Sequence, residues 1–355
     1  MLRRSFAKLL LLSAALAMPL AQAAEVPTKD GGHVQNPQWS PDGQWLAFET
    51  NNMSNTVELW LVKFNGGAAG TPTQLKIPGS SSSFGTGGYV AASPVWATKP
   101  SLMVIFEGSN PGGQMRLYYA TPGAAAPNEL ITAQQQPGNL GAPAISSNGK
   151  RFAFISDATG KGDLYVWEVD SGQMKLTFAT DVSENNPSWN AEGNVIVFSR
   201  KNQGNEDLYT WTGGATTPPL KGGAGDQTRP RFAGDKVVYF TAERGDGHWD
   251  IAVTDTSGNR SIIAQDVRLP ARAGPALSPD GSSVIYTSSV PEKGDVVLVT
   301  KIDGSKTIEI PTGLIACGEP AVVSAGGRVW LAFTALPAEG ADWRSLQVID
   351  VTGKL

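Results

Sequence analysis

Residues 36–50 read NPQWSPDGQWLAFET, and the same frame returns at residues 274–288 as GPALSPDGSSVIYTS. A proline followed two places later by a large apolar residue also occurs five more times, at Pro94, Pro143, Pro187, Pro230 and Pro320. Successive prolines of this series are 57, 49, 44, 43, 45 and 45 residues apart. Regular spacing of this length indicates a repeat architecture rather than two unrelated domains.

Each unit contains several short strand-like runs. An apolar run closed by an aromatic residue follows each proline, as at Phe48 and Tyr286, and further runs follow at residues 58–62 and 73–77 of the first unit. No helical periodicity of convincing length interrupts this pattern. The sequence therefore predicts an all-β protein, a seven-bladed β-propeller of four-stranded antiparallel blades. A six-bladed ring is the alternative, should one unit be degenerate.

The Ser-Pro-Asp-Gly segments predict tight turns. Proline presets its own backbone angle, aspartate accepts hydrogen bonds from nearby amides, and glycine takes the left-handed position. We therefore expect Asp42 and Asp280 to stabilise turns rather than to act as catalytic acids.

The N-terminus has the layout of a secretory signal peptide. Arg3, Arg4 and Lys8 precede a short leucine-rich run, and small residues follow up to Ala23. The run is too short to serve as a membrane anchor. We expect cleavage after Ala23 and a single propeller domain over residues 24–355. Residues 25–30 are predicted to add the outermost strand of the last blade, with a disordered tail as the alternative.

Charge and composition exclude several classes of partner. Without residues 1–23 the chain has 25 Lys and Arg against 32 Asp and Glu. This acidic balance argues against a nucleic-acid or anionic-membrane partner. No second long apolar run follows, so no transmembrane segment is expected in the mature chain. Cys317 is the single cysteine and cannot form an internal disulfide.

The repeat at residues 37–48 resembles the TolB-type propeller repeat, and the resemblance extends with decreasing strength over nearly all of the mature chain. It implies a periplasmic protein whose propeller mouth binds an envelope protein, such as a peptidoglycan-associated lipoprotein or a component of a transport or motility complex. The chain departs from TolB in lacking a preceding α/β domain and in having seven units rather than six. These departures weaken the link to the Tol-Pal system.

A ligand is expected at the mouth of the central channel. The residue before each repeat proline should lie near the channel, and loops held by a rigid ring commonly carry binding. Long loops add Arg244, His248 and Trp249, and the bend at Pro270 adds Arg272. The predicted binding residues are Asn36, Tyr89, Asn186, Arg229, Arg244, His248, Trp249, Arg272 and Glu319.

No catalytic constellation is evident in the sequence. His33 and His248 are the only histidines, and no zinc-binding spacing, nucleophile elbow or phosphate loop is present. We therefore predict no enzyme activity and no cofactor, and favour a periplasmic protein-binding scaffold. A carbohydrate-binding or carbohydrate-active propeller is the main alternative, and a structural component assembling through blade edges is a further one.

Overall fold

The computed structural model describes residues 23–28, 32–51, 56–79, 89–110, 113–124, 126–177, 180–202, 204–214, 219–220, 223–255 and 257–355. All regular elements in these residues are β-strands. Consecutive buried residues along a strand, as in Trp45–Asn51, show that the sheet buries side chains on both faces, because successive side chains point to opposite sides. The predicted all-β class is thus confirmed. The predicted signal peptide lies outside the described residues, except for Ala23.

The first sheet contains nine strands in two antiparallel groups. The groups are joined by one parallel residue pair, Val57 with Val90. Strand β1 (Ala24–Val26) precedes this sheet in the chain. The strands of the sheet are β2 (His33–Trp39), β3 (Trp45–Asn51), β4 (Val57–Asn65), β5 (Ala68–Ala69), β6 (Thr73–Leu75), β7 (Val90–Ala97), β8 (Met103–Ser109), β9 (Arg116–Ala120) and β10 (Asn128–Glu129).

Three antiparallel sheets follow, with four, three and four strands. The first consists of β11 (Leu140–Ile145), β12 (Arg151–Ser156), β13 (Asp163–Glu168) and β14 (Gln173–Leu176). The second consists of β15 (Glu184–Trp189), β16 (Ile196–Asn202) and β17 (Asn205–Trp211). The third consists of β18 (Gln227–Ala233), β19 (Lys236–Thr241), β20 (Asp250–Asp255) and β21 (Arg260–Ala264).

The last two sheets each have four strands. One consists of β22 (Ala276–Leu277), β23 (Ser283–Val290), β24 (Gly294–Lys301) and β25 (Thr307–Ile310). The other is completed by β1 and contains β26 (Ile315–Ala325), β27 (Arg328–Leu336) and β28 (Ser345–Asp350).

Strand β1 supplies the outer edge of the last sheet. Ala24 lies opposite Val348 and Val26 opposite Leu346 in antiparallel register. The prediction that the N-terminal segment completes the last sheet is therefore confirmed, although the strand is shorter than predicted and begins one residue earlier. Residues 29–30 of the predicted strand lie outside the described residues.

The sheets close into a ring. Neighbouring groups contact one another in chain order, as β4 contacts β7 and β24 contacts β26, and β26 contacts β2. Trp39 packs edge-to-face on Phe64, which packs edge-to-face on Trp330, each at 5.1 Å between ring centroids. These aromatic contacts join the first sheet to the last, so the core lies between adjacent sheets. This arrangement is that of a β-propeller.

The Ser-Pro-Asp-Gly turns have the predicted geometry. Ser278 Oγ donates to Asp280 Oδ1 at 2.6 Å, and the Ser282 amide donates to the same oxygen at 3.0 Å. Gly281 and its counterpart Gly43 have φ angles of +69° and +66°, a left-handed conformation that glycine adopts without strain. The hydrogen bonds to Asp280 lower its pKa to about 2, with the Ser278 hydroxyl as the largest cause. The structure thus gives this aspartate a structural contact, as predicted.

Candidate binding site at the channel mouth

The innermost strands of the ring surround a cavity of about 850 Å³. Its wall contains the residue before the repeat proline in six units: Asn36, Ser93, Ala142, Asn186, Arg229 and Gly274. The seventh such residue, Glu319, bonds to the backbone amides of two residues, Asn36 and Ala271, which line the cavity. The predicted position of these residues beside the channel is therefore confirmed. Whether they bind a ligand stays a prediction.

Six of these seven residues adopt the left-handed backbone conformation. The φ angles of Asn36, Ser93, Ala142, Asn186, Arg229 and Glu319 lie between +48° and +54°. The register of the innermost strand shifts at the same point in several units, for example between Gln35 and Gln38. A left-handed residue that is not glycine costs free energy, so a neighbouring contact must hold it in place.

Carboxylates of neighbouring strand groups supply that contact at three places. Glu49 Oε1 accepts a hydrogen bond from the Ser93 amide at 2.8 Å, and Glu107 Oε1 accepts one from the Ala142 amide at 2.6 Å. Glu319 Oε2 accepts one from the Asn36 amide and so links the last sheet to the first. These acids therefore stabilise the ring and do not lie free in the channel.

Burial governs the protonation of the channel acids. Loss of solvation raises the pKa of Glu107, Glu206 and Glu319 above the usual range for glutamate. Amide hydrogen bonds from Ala142 to Glu107, and from Asn36 and Ala271 to Glu319, oppose this rise. The side chain of Glu49 is fully buried and accepts hydrogen bonds from Gln35, Asn36 and Ser93.

Three arginines, Arg229, Arg231 and Arg272, line the same cavity. Arg272 Nε lies 3.2 Å from Glu49 Oε2, and its side chain is 35% exposed. Arg229 donates to the carbonyl oxygens of Pro270, Ala271 and Ala273. Burial lowers the pKa of Arg229, while the charges of Glu319 and Glu206 act in the opposite direction. The mouth is therefore a charged surface that contains both acids and guanidinium groups.

Arg244 and His248 belong to a separate ionic cluster. Arg244 Nε lies 2.7 Å from Asp250 Oδ2, and its Nη2 lies 2.8 Å from Asp266 Oδ1. His248 Nδ1 lies 2.7 Å from the same Asp266 oxygen. Neither Arg244 nor His248 is among the residues that line the cavity. The structure therefore does not bring them together with the channel residues.

Trp249 and Tyr89 also differ in position. Trp249 lines the cavity, whereas Tyr89 does not. The Tyr89 hydroxyl donates to the Leu75 carbonyl at 3.0 Å and accepts from the Ile77 amide at 3.1 Å. The reason is that residue 89 immediately precedes the first strand of the second group, where its ring packs on the core between sheets. Tyr89 thus stabilises the fold and does not lie at the mouth.

Two acids were not predicted from the sequence: Glu107, which lines the cavity, and Glu49, which is buried behind its wall and bonds to Asn36 and Ser93. A signal for both was present, since each follows directly the aromatic residue that closes its apolar run, Phe48 or Phe106. The same position holds Ser199 and Thr334 in other units. A glutamate in that frame reaches the amide of the next strand group, which a serine is too short to do.

The two histidines do not converge. The Arg344 amide donates to His33 Nδ1 at 3.3 Å, and the His33 ring lies edge-on to Trp343. Within the described ranges, no three His, Cys, Asp or Glu side chains are arranged to hold a metal ion. Likewise, the described part of the chain has no helix with the length and apolar character needed to cross a membrane.

The closed ring of antiparallel sheets, with a charged cavity at its axis, defines a β-propeller. Residues 124–323 match the sequence model of the TolB β-propeller domain, and these residues make up more than half of the chain. The chain belongs to that family. The predicted resemblance to TolB-type propellers is therefore confirmed.

Solved structures with the same fold have diverse activities. An oligogalacturonate lyase from Vibrio parahaemolyticus is 11% identical over 94% of both chains, with a TM-score of 0.61. A puromycin-hydrolyzing peptidase from Mycobacterium tuberculosis is 12% identical, with a TM-score of 0.64, over 94% of this chain and 54% of its own. A putative TolB from Agrobacterium tumefaciens is 16% identical, with a TM-score of 0.50, over 66% of this chain and 81% of its own. At these identities the likeness shows the fold alone.

Proposed function

We propose that this chain is an exported, seven-bladed propeller that binds another protein at its channel mouth, as a scaffold in a cell-envelope assembly. Seven blades follow when the two antiparallel groups of the nine-stranded sheet are counted separately. Residues 24–355 then form one domain, since β1 lies in the same sheet as β28. The signal-peptide pattern of residues 1–23 supports a periplasmic location.

One observation carries the proposal: three acids and an arginine at the mouth are already bonded within the ring. Glu49, Glu107 and Glu319 accept backbone amides of neighbouring residues, and Arg229 donates to three carbonyl oxygens. An acid or base catalyst must be able to exchange a proton with a substrate in reach. A fixed, charged, concave surface instead suits recognition of a complementary partner.

Affinity capture tests this function. The mature protein, a mouth variant Trp249→Ala and a control Trp60→Ala would each be used to capture proteins from a periplasmic extract. Trp249 lines the cavity, whereas Trp60 lies on β4 outside the cavity lining. We expect the control to capture the same envelope protein as the unaltered chain and Trp249→Ala to capture at least tenfold less. Equal capture by the two variants would contradict binding at the mouth.

A carbohydrate ligand is the second candidate, and the aromatic part of the cavity favours it. Trp39, Trp96 and Trp189 line the same cavity as Arg272, and indole rings beside a guanidinium group suit an acidic sugar. Calorimetric titration with oligogalacturonate tests this candidate. Binding that is lost in Arg272→Gln, with no protein captured, would favour the sugar over the protein partner.

A further inference from the structure

A short segment crosses the channel mouth. Residues 269–274, which we call the mouth strap, connect β21 to β22 and contribute Leu269, Ala271, Arg272, Ala273 and Gly274 to the cavity wall. Among the described strands, none pairs with the strap as in a β-sheet. Val267, just before the strap, pairs with Ser288, and Pro275, just after it, is buried. It is therefore fixed at both ends and irregular between them.

Polar contacts to three different sheets hold the strap. Arg229 on β18 donates to strap carbonyl oxygens, and the Ala271 amide donates to Glu319 on β26 at 3.0 Å. Arg272 Nε lies 3.2 Å from Glu49 on β3, which is 223 residues away in the sequence. Because these sheets lie at different positions around the ring, the strap spans the mouth rather than following its rim.

Arg272 supplies the positive charge that Glu49 faces. The Glu49 side chain is fully buried, and Glu107 also feels the charge of Arg272. Arg229 interacts electrostatically with Glu319 and Glu206, and Arg344 interacts with Glu319. Removing one partner from a buried ion pair leaves an uncompensated charge, which is strongly unfavourable. Opening of the strap therefore leaves Glu49 without its guanidinium partner, and a cation from another molecule would restore the ion pair.

Leu269 anchors the start of the strap against the core cluster that contains Phe240 and Tyr286, whereas residues 271–274 bury little apolar surface. Ala271 is exposed, Arg272 is about one-third exposed, and Ala273 and Gly274 have small or no side chains. Hydrophobic stabilisation is proportional to buried apolar area, so residues 271–274 are held chiefly by their charged and polar contacts. Such contacts can be replaced by equivalent groups from another molecule.

We propose that the mouth strap is a displaceable internal occupant, and that an arginine-bearing segment of a partner protein takes the place of Arg272 at Glu49. The inference rests on the proposed function in taking the mouth as the binding face. It adds the chemistry of the partner, a guanidinium group flanked by small residues, as in Ala271-Arg272-Ala273. It also makes binding conditional on release of the strap.

The test uses a peptide that copies the strap. Acetyl-Ala-Arg-Ala-amide would be titrated into the mature protein, Arg272→Gln, and a control Arg268→Gln. Arg268 precedes the strap and pairs with Asp295, and it does not line the cavity. We expect Arg272→Gln to bind the peptide at least tenfold more tightly than the unaltered protein and the control. A peptide with citrulline in place of arginine has the same shape without the charge and should not bind. Adding Glu49→Gln to Arg272→Gln should abolish the increase in affinity for the arginine peptide.

Two outcomes overturn the proposal: equal affinity of Arg272→Gln and Arg268→Gln for the arginine peptide, or equal binding of the citrulline peptide. If Arg272→Gln does not fold, hydrogen exchange of the Ala271 amide in the unaltered protein decides. Faster exchange with saturating arginine peptide supports displacement, and unchanged exchange refutes it. The peptide can bind even if Trp249→Ala captures envelope proteins as well as the unaltered chain does. That result would support replacement of Arg272 at Glu49 and would refute only the scaffold function.

Discussion

Glu107 Oε1 accepts a hydrogen bond from the backbone amide of Ala142 at 2.6 Å, so an acid in one strand group holds the left-handed residue of the next group. The same relationship joins Glu49 to Ser93 and Glu319 to Asn36. In each case the amide of a strained backbone position donates a hydrogen bond to a carboxylate of another strand group. The inner wall of the ring is thus built from pairs that cross between neighbouring strand groups.

Glu107 gives the protein a pH-dependent stability. Burial raises the pKa of Glu107, so the folded chain binds this proton more tightly than the unfolded chain. The free energy of unfolding should therefore fall as the pH rises from 4.5, the ordinary glutamate value, through the folded pKa. Each tenfold difference in proton affinity between the folded and unfolded chains is worth about 1.4 kcal/mol.

Urea unfolding between pH 4 and 8 measures this dependence. Glu107→Gln, whose side-chain oxygen can still accept the Ala142 amide, should reduce the slope of stability against pH. The remaining slope comes from Glu184, Glu206 and Glu319, whose pKa values burial also raises. The slope should persist in the control Glu339→Gln, because Glu339 is exposed. An unchanged slope in Glu107→Gln would show that another group is responsible.

Asp280 should affect the pH dependence of stability in the opposite direction to Glu107. Its pKa of about 2 in the folded protein lies below the ordinary value of 3.8, so its stabilisation is complete above pH 3.8 and is lost as the pH falls towards 2. Because the group is exposed to solvent, we expect Asp280→Ala to lower the free energy of unfolding by only about 0.5–1 kcal/mol at pH 7. Denaturant unfolding of Asp280→Ala and of Asp170→Ala, an exposed aspartate, would measure the difference. Equal losses in the two variants would contradict a special role for the turn.

Strand β1 should stabilise the closed ring. Val26 is 1% exposed and belongs to the core that contains Trp330 and Leu346. We expect Val26→Ala to lower the free energy of unfolding by about 2 kcal/mol, while Glu25→Ala, at an exposed position of the same strand, changes it little. Thermal unfolding of both variants tests this expectation. A Val26→Ala protein as stable as Glu25→Ala would mean that β1 contributes no core packing.

Ala142 and Ala144 should respond differently to glycine. Ala142 has φ +48°, whereas Ala144 lies in regular pairing with Ala153. Glycine relieves the left-handed strain at position 142, but it also increases the conformational entropy of the unfolded chain. Because these two effects offset one another, Ala142→Gly should change the free energy of unfolding by less than about 0.5 kcal/mol. Ala144→Gly has no such compensation and should cost about 1 kcal/mol. Chemical denaturation distinguishes the two, and a larger loss at position 142 would refute the strain argument.

The sequence predicted the repeat, the tight turns and the channel ring because all three depend on local residue types at fixed spacing. The proline at position 37 marks the residue before it as the channel position, and the structure places Asn36 there. The contact between Arg272 and Glu49 was not predictable in this way, since no local pattern connects residues 223 positions apart. Tyr89 was misplaced because a loop composition gives no indication that its hydroxyl bonds to residues 75 and 77.

The two ends of the described chain meet on the same side of the molecule. Ala23 and Leu355 pack against one apolar cluster, which contains Ile349 and Val351. A short linker could therefore join the ends, and new termini could be opened in an exposed turn such as the one at Gly326 and Gly327, between β26 and β27. Such a circular permutant would make β1 internal to the chain, so that the last sheet would no longer depend on a terminal segment for its outer edge.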